Sequence, residues 1–450
     1  MPGTDALQMS MTRTDGWTAN TVPAGTLLQF KSGKMSIQFR QSVYLILALF
    51  LDSVNAPAFA QIKPAELLTN RIDSILQSEV DADRIPGAVI QIEKDGKIIY
   101  TKAYGYAGKY EYPHKLLTNP EAMTANHLFD IASLTKVIGT TTSIMLLVDR
   151  GLLNVDEPVG KFIPAFNSPE KKSITIRQLL THASGLYEWY PLYYHCSNKE
   201  EVYKLIGDLP LKYPLGFQRK YSDLGFTILG EVIEKLSGLS LEEFEMKNIF
   251  VPLGMKSTCY NPLKKGFTKI AATSHGNPYE YRMVHDTSLH MRPPGLDPDS
   301  WNGWRKYTLC GEVNDGNAWY AGGGVCGAAG LFSTVSDLQI LVNMLMNRGR
   351  IGDRQFIRPE TIENFLTQDQ FNNGLGWMMD PLNSFMKNAP QGSFGHTGFT
   401  GTSITAIPAD HLTLILLINR QNTGLLPSGE YYNVGPVRQK VFEAVMRYYQ

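Results

Sequence analysis

The strand-forming segments of this chain lie near its two ends, and that placement restricts the fold more than any other feature. Gly87–Glu93 (GAVIQIE) and Lys97–Tyr104 (KIIYTKAY) are rich in β-branched and aromatic residues and flank Lys94-Asp95-Gly96, a hairpin signal. Thr402–Ile407 and Leu412–Ile418 have the same character, with Pro408-Ala409-Asp410-His411 between them. Helical periodicity dominates the interval, over 134–150, 199–206, 223–236, 240–249 and 336–347. Further helices are expected over 63–80 and 435–448, outside the two strand groups. Residues 255–330, rich in Gly, Pro, Asn and aromatics, are expected to be mostly loop. The simplest solution is one sheet drawn from 85–110 and 390–420, with a helical and loop lobe of about 131–330 inserted.

Composition narrows the partners. The 450 residues carry 42 Lys+Arg against 42 Asp+Glu, so no global field favours nucleic acid or an anionic membrane. A hydrophobic content of 43% against 19% charged supports a packed core rather than a disordered chain. Residues 1–60 read as a leader. Met35 is the expected start, Arg40 precedes an apolar run from Val43 to Leu51, and Ala58-Phe59-Ala60 supplies an A-x-A cleavage signal. The run is too short to span a bilayer, which takes about 20 apolar residues. The expected mature enzyme is 61–450, periplasmic or secreted. An oxidising compartment would permit disulfides among Cys196, Cys259, Cys310 and Cys326, but their spacing demands none. No zinc-type Cys/His spacing occurs, so neither metal nor cofactor is expected.

Three short motifs carry chemistry. In Ser133-Leu134-Thr135-Lys136, a helix starting at the serine puts i and i+3 on one face, bringing Lys136 Nζ to Ser133 Oγ. A serine hydroxyl needs such a neighbouring base to become a nucleophile. Lowering a lysine from about 10.4 to about 7.5 costs ~4 kcal/mol, so a lysine base implies a buried site. Tyr221-Ser222-Asp223 opens the next helix, where Tyr221 is placed to relay a proton or Asp223 to cap the helix. His396-Thr397-Gly398, followed by Phe399, leads into a strand, where small residues let a substrate backbone approach a sheet edge.

The order of these motifs resembles the serine β-lactamase and penicillin-binding protein superfamily. Phe129–Lys136 (FDIASLTK), Leu152–Pro158 (LLNVDEP), Ile176–Leu186 (IRQLLTHASGL), Tyr221–Gly230 (YSDLGFTILG) and Gly330–Thr334 (GLFST) extend the likeness over about 65–450. They point to the class C-like branch of D-alanyl-D-alanine carboxypeptidases, class C β-lactamases and esterases. The implied fold is α/β (α+β) and β-lactamase/transpeptidase-like, an antiparallel sheet flanked by helices with an inserted helical lobe. The resemblance implies Ser133 as the acylated nucleophile, with Lys136 and Tyr221 sharing proton transfer. It puts Asp223, His396, Thr397, Gly398 and Phe399 against the substrate, with the backbone N–H groups of Ser133 and Phe399 as the oxyanion hole. The implied activity is that of an exported serine hydrolase acting through an acyl-enzyme on a D-Ala-D-Ala-type peptide, a β-lactam or a small ester. Carboxypeptidase-like or esterase hydrolysis ranks above β-lactamase. The alternative is a penicillin-binding sensor or peptidoglycan-binding protein that has lost deacylation. The partner is a small-molecule or peptidoglycan-peptide substrate, without nucleic acid and without a stable membrane span after signal cleavage.

Two departures from the family pattern matter. Asp223 stands where many relatives carry Asn; ionised, it would hold Lys136 protonated and shift the base role to Tyr221. Protonated, it would keep the donor pattern of Asn. His396 replaces the lysine usual in β-lactamases, which weakens the constant charge available to a substrate carboxylate. Activity on such substrates is expected to fall as His396 loses its proton. Gly322–Gly327 fits G-x-G-x-x-G but lacks the strand–helix setting of a nucleotide site, so it reads as tight packing or a pocket border. Val313–Ala318 reads equally as a pocket rim or an Asx-turn loop, Trp301, Trp304, Tyr307, Trp319 and Tyr320 as packing or a groove, and His182 as a structural loop histidine.

Overall fold

The computed structural model describes residues 64–382 and 385–449. The leader expected over residues 1–60, with its start at Met35, lies outside the described residues. Eight strands carry the architecture: β1 (Gly87–Lys94), β2 (Lys97–Gly105), β3 (Phe129–Asp130), β4 (Cys259–Tyr260), β5 (Leu331–Ser333), β6 (Phe394–Thr397), β7 (Ser403–Ile407) and β8 (Leu412–Ile418). The main sheet runs β6-β7-β8-β1-β2, antiparallel throughout, so both ends of the chain build it. The β1–β8 register pairs Ala88 with Ile418 and Lys94 with Leu412. Asp95 and Gly96 both have positive φ (52° and 72°), the conformation a two-residue hairpin turn requires.

Strand alternation divides the apolar side chains between two layers. Ile90, Ile92, Leu414, Leu416 and Ile418 pack with Leu68, Ile72 and Leu76 of α1 (Pro64–Asp81). Val441, Phe442 and Val445 of the C-terminal helix (Gly435–Tyr449) complete that layer. Val89, Ile404, Ile415 and Leu417 face the other way, into the core shared with the helical lobe. A sheet covered on both faces needs an unbroken apolar strand at its centre, and LTLILLI in β8 is buried at every position.

The helix expected over 134–150 is three segments. A 3₁₀ turn (Ala132–Leu134) leads into π-helix (Lys136–Thr141), which continues as α2 (Thr142–Asp149). Two contacts account for the wide turn. Thr142 Oγ1 donates to the carbonyl of Val137, five residues back, at 2.9 Å. Gly139 lies against the buried Glu245 carboxyl, where even a methyl group would sit 2.5 Å from an oxygen. The helix expected over 240–249 is also interrupted, by π-helix over Met246–Phe250 just before Pro252. The region 255–330 is mostly loop, as its composition predicts. It contains β4 and the helix Pro278–His285. Trp301, Trp304, Tyr193 and Tyr320 pack on one another at 4.7–5.7 Å, so these aromatics stabilise the lobe. The helix opening at Asp223 is α3 (Asp223–Ser237), and α4 (Val335–Met346) supports β1 and β8; the C-terminal helix is α5. No described helix is long and apolar enough to cross a membrane.

Candidate active site

The three motifs meet where β6, the turn after β3 and the start of α3 converge. Ser133, Tyr221, Asp223, Asn314, Asp315 and Phe399 line a cavity of about 260 Å³ there. The turn that carries Ser133 is held by a residue to which the motif reading gave no role. Asp130 accepts from the N–H of Ala132 at 2.8 Å with one oxygen and from that of Asn314 at 2.7 Å with the other. Burial pushes its carboxyl up to about 6 against the pull of those donors. Ala132 sits at φ 45°, a left-handed conformation that a non-glycine residue holds only when its surroundings over-determine it. The bond to Asp130 supplies that constraint immediately before Ser133.

Lys136 is fully buried and its three N–H bonds have three acceptors. Nζ donates to Ser133 Oγ at 3.0 Å and to the carbonyl of Ala328 at 2.8 Å, and pairs with Asp223 at 2.7 Å. Burial alone would lower its pKa, but Asp223 and Tyr221 overcome this and hold it protonated. An ammonium with all three protons engaged has no lone pair to offer. The carboxylate is available because Ser222, rather than Asp223, caps α3: its Oγ accepts from the N–H of Gly225 at 3.2 Å. The Tyr221 ring centroid lies 5.1 Å from Lys136 Nζ. Burial raises the Tyr221 phenol, while Lys136 and Ser133 pull it down.

On the other wall, His396 is buried on edge strand β6 and its Nδ1 donates to the Thr397 carbonyl at 2.9 Å. Burial and the neighbouring Lys136 charge push it down to about 3, so it is a neutral imidazole throughout the physiological range. The expected loss of activity through a His396 titration near neutrality is corrected accordingly, because that titration lies far below it. The His396 ring resonances should not move between pH 5 and 8 in an NMR titration; a midpoint in that window would mean that the pocket admits water to the ring.

Thr397 ends β6 opposite Ser403. Gly398 packs against the nucleophile turn: an added Cβ would lie 2.1 Å from Thr402 Oγ1 and 2.5 Å from the Ile131 carbonyl. Thr400 and Thr402 hydroxyls donate to the carbonyls of Asp130 (2.7 Å) and Ile131 (3.1 Å), tying the loop to the serine turn. Arg438 of α5 completes this wall. Its Nη2 donates to the carbonyls of Gly398 (3.2 Å) and Thr402 (2.9 Å). A trans peptide directs C=O and N–H oppositely, so gripping the Gly398 carbonyl turns the Phe399 N–H to the other side. Arg420 fixes the next peptide by donating to the Phe399 carbonyl at 2.7 and 3.0 Å.

Among the motif-poor segments, Val313–Ala318 forms a pocket rim. Asn314 and Asp315 line the cavity, and Asp315 accepts from the Ala318 N–H three residues on, a helix-capping contact in place of the expected Asx turn. Glu280, from a helix not singled out in the sequence, lines it too. Burial pushes Asp315 up to about 6 and Glu280 up to about 8. The Gly322–Gly327 segment packs tightly, with Gly327 against the Phe226 carbonyl, and leads to the Ala328 acceptor of Lys136. His182 stacks on Tyr221, a contact its loop setting did not suggest. All four cysteines are unpaired, and no group of three or more His, Cys, Asp or Glu among the described residues could hold a metal ion.

Comparison with known proteins agrees with this geometry. The Beta-lactamase family model matches residues 72–434. An N-acetylmuramyl-L-alanine amidase of Bacillus subtilis is 33% identical over 387 residues, spanning 81% of this chain and 83% of that protein. A Salmonella typhimurium protein named as a D-alanyl-D-alanine carboxypeptidase is 31% identical over 433 residues, spanning 87% and 96%. Among solved structures, a class C beta-lactamase superposes with a TM-score of 0.62 at 19% identity, covering 85% of this chain and 98% of its own. EstCE1, a hydrolase with promiscuous acyltransferase activity, gives 0.61 at 20%, covering 84% and 99%. The solved structures bear on the fold, and the family match and curated relatives on descent: this chain belongs to the β-lactamase family and is a serine hydrolase.

Proposed function

We propose that this chain is an exported hydrolase, periplasmic or secreted, that cleaves a D-Ala-D-Ala-type peptide or small ester through an acyl-enzyme on Ser133, with β-lactams as poorer substrates. The observation that carries this reading is the triple engagement of Lys136 Nζ by Ser133, Ala328 and Asp223. Lys136 donates to Oγ, so the serine hydroxyl proton is free to turn toward Tyr221. As Oγ attacks the acyl carbon, its proton passes to the Tyr221 oxygen and the phenol proton passes to the leaving atom. The fixed Lys136 charge stabilises the phenolate character that develops on the way. The N–H groups of Ser133 and Phe399 receive the carbonyl oxygen as it gains charge, a contribution of a few kcal/mol for well-aimed donors. Water then enters, gives its proton back along the same path and releases the acid.

Thr397, half-buried at the end of edge strand β6, is where an extended substrate would pair, with Phe399 of the following loop lining the cavity. The neutral His396 offers no permanent cation to a substrate carboxylate, which supports a small ester over a β-lactam. The relatives named as amidase and carboxypeptidase support a peptidoglycan-type substrate. Export rests on the charge and apolar pattern of residues 35–60.

The test is intact mass and turnover after incubation with a short-chain p-nitrophenyl ester, a D-Ala-D-Ala peptide and a penicillin. Turnover of the ester or the peptide, with slow penicillin release, is the expected result. A permanent penicillin adduct with neither ester nor peptide turned over would favour a sensor that has lost deacylation. Rapid penicillin hydrolysis would reverse the ranking.

A further inference from the structure

We propose that His182 is a positioning residue that holds Tyr221 in its proton-relay pose; the inference rests on the relay assigned to Tyr221 above. One residue grips three consecutive ones. The Lys220 N–H donates to the His182 carbonyl at 2.8 Å. The Ser222 N–H donates to His182 Nδ1 at 2.9 Å. Between these two anchors the imidazole stacks on the Tyr221 ring, with centroids 4.4 Å apart and planes 29° from parallel. His182 also packs on Phe226, at 5.1 Å. The phenol is thereby backed on the side away from the cavity.

The backbone is unusual for a residue with no role beyond filling a loop. His182 has φ 59°, the left-handed region that β-branched and bulky side chains avoid. That conformation lets its carbonyl and its ring address the same short segment.

The side-chain chemistry is also specific. Nδ1 accepts a backbone N–H, so the ring proton resides on Nε2. The ring stays uncharged because burial and the charges of Arg219 and Lys136, with His396 nearby, all oppose a second proton. A benzene ring in its place would stack but could not accept from Ser222. A carboxamide would accept, and asparagine tolerates left-handed φ, but it would not back the phenol. The groups that face Tyr221 are Ser133, Lys136, Asp223 and Arg219, with the His396 ring 6.0 Å away. Removing the stacked ring admits water to a phenol whose ionisation is opposed chiefly by burial.

The experiment compares the wild-type full chain with His182→Asn, His182→Phe and Tyr221→Phe. It follows hydrolysis of p-nitrophenyl acetate from pH 6 to 9.5, with thermal melting of each protein recorded. Both His182 variants should lose kcat by about 10- to 100-fold with KM changed less than about threefold. Burial keeps the Tyr221 phenol protonated to the alkaline end of this range in the wild type, so an alkaline fall in kcat should enter the range in His182→Asn and stay outside it in His182→Phe, which keeps the phenol dry. Wild-type kcat and no alkaline fall within the range in either variant would overturn the inference. So would a loss fully explained by the fraction unfolded at the assay temperature. If Tyr221→Phe is inactive while both His182 variants match the wild type, only the role of His182 fails. If Tyr221→Phe turns over like the wild type, the relay itself fails.

Discussion

Replacing Ser133 with alanine should lower ester and peptide turnover by at least about 10³-fold and abolish any covalent acyl adduct. The substitution removes the one oxygen that Lys136 approaches at 3.0 Å and that the Tyr221 phenol adjoins. What survives is an oxyanion pocket acting on bound substrate with bulk water as nucleophile, and the residual rate measures that contribution. Stability should hardly change, because Lys136 keeps the Ala328 carbonyl at 2.8 Å and Asp223 at 2.7 Å, and Ser133 is only half-buried. Intact mass and steady-state kinetics on the same preparation separate the two effects. Undiminished ester hydrolysis in this variant would remove Ser133 from its assigned role.

Gly398→Ala should cost about 10²-fold or more in kcat and also destabilise the fold by about 1–3 kcal/mol. The new methyl would need to occupy space 2.1 Å from Thr402 Oγ1 and 2.5 Å from the Ile131 carbonyl, where one obstacle is main chain and cannot rotate away. The only relief is to lift the 398–402 loop off the nucleophile turn. That movement breaks the Thr400 and Thr402 bonds to Asp130 and Ile131 and carries the Phe399 N–H away from the reacting carbonyl. Turnover and the urea midpoint should fall together. A variant that keeps wild-type kcat would mean that the Phe399 N–H does not contact the substrate oxygen.

The parts of this molecule that were legible in its sequence are those set by near neighbours. Runs rich in β-branched and aromatic residues in 87–104 and 402–418 marked the strands, and the spacing of Ser133 and Lys136 marked a contact that holds at 3.0 Å even though the helix between them is 3₁₀ and π rather than α. Spacing survives a change of helix type because both residues still return to one face. The π segments themselves were not legible, since Gly139 is forced by Glu245 and Thr140 bonds to Gly327, both far away in sequence. Charge states were illegible for the same reason. Asp223 reads as a helix cap until Ser222 is seen to take that place, and His396 reads as a titrating group until its burial beside Lys136 is known. Arg438 gave no local signal at all: it is one basic residue in a terminal amphipathic helix, and its partner carbonyls at Gly398 and Thr402 lie 40 and 36 residues upstream.

The grip of Arg438 on the Gly398 carbonyl also sets a time order. Ser133 precedes Arg438 by 305 residues, so the peptide that would receive the substrate oxygen is oriented by a side chain made long after the serine. β1 likewise waits for β8, its central partner, which is made long after it. A growing chain therefore carries Ser133 well before Arg438 can orient the Phe399 peptide, and such long-range closure slows folding. Hydrolytic competence should appear only once Arg438 is in place, and a protein cut before that residue should keep β1–β8 while losing the aim of the Phe399 N–H.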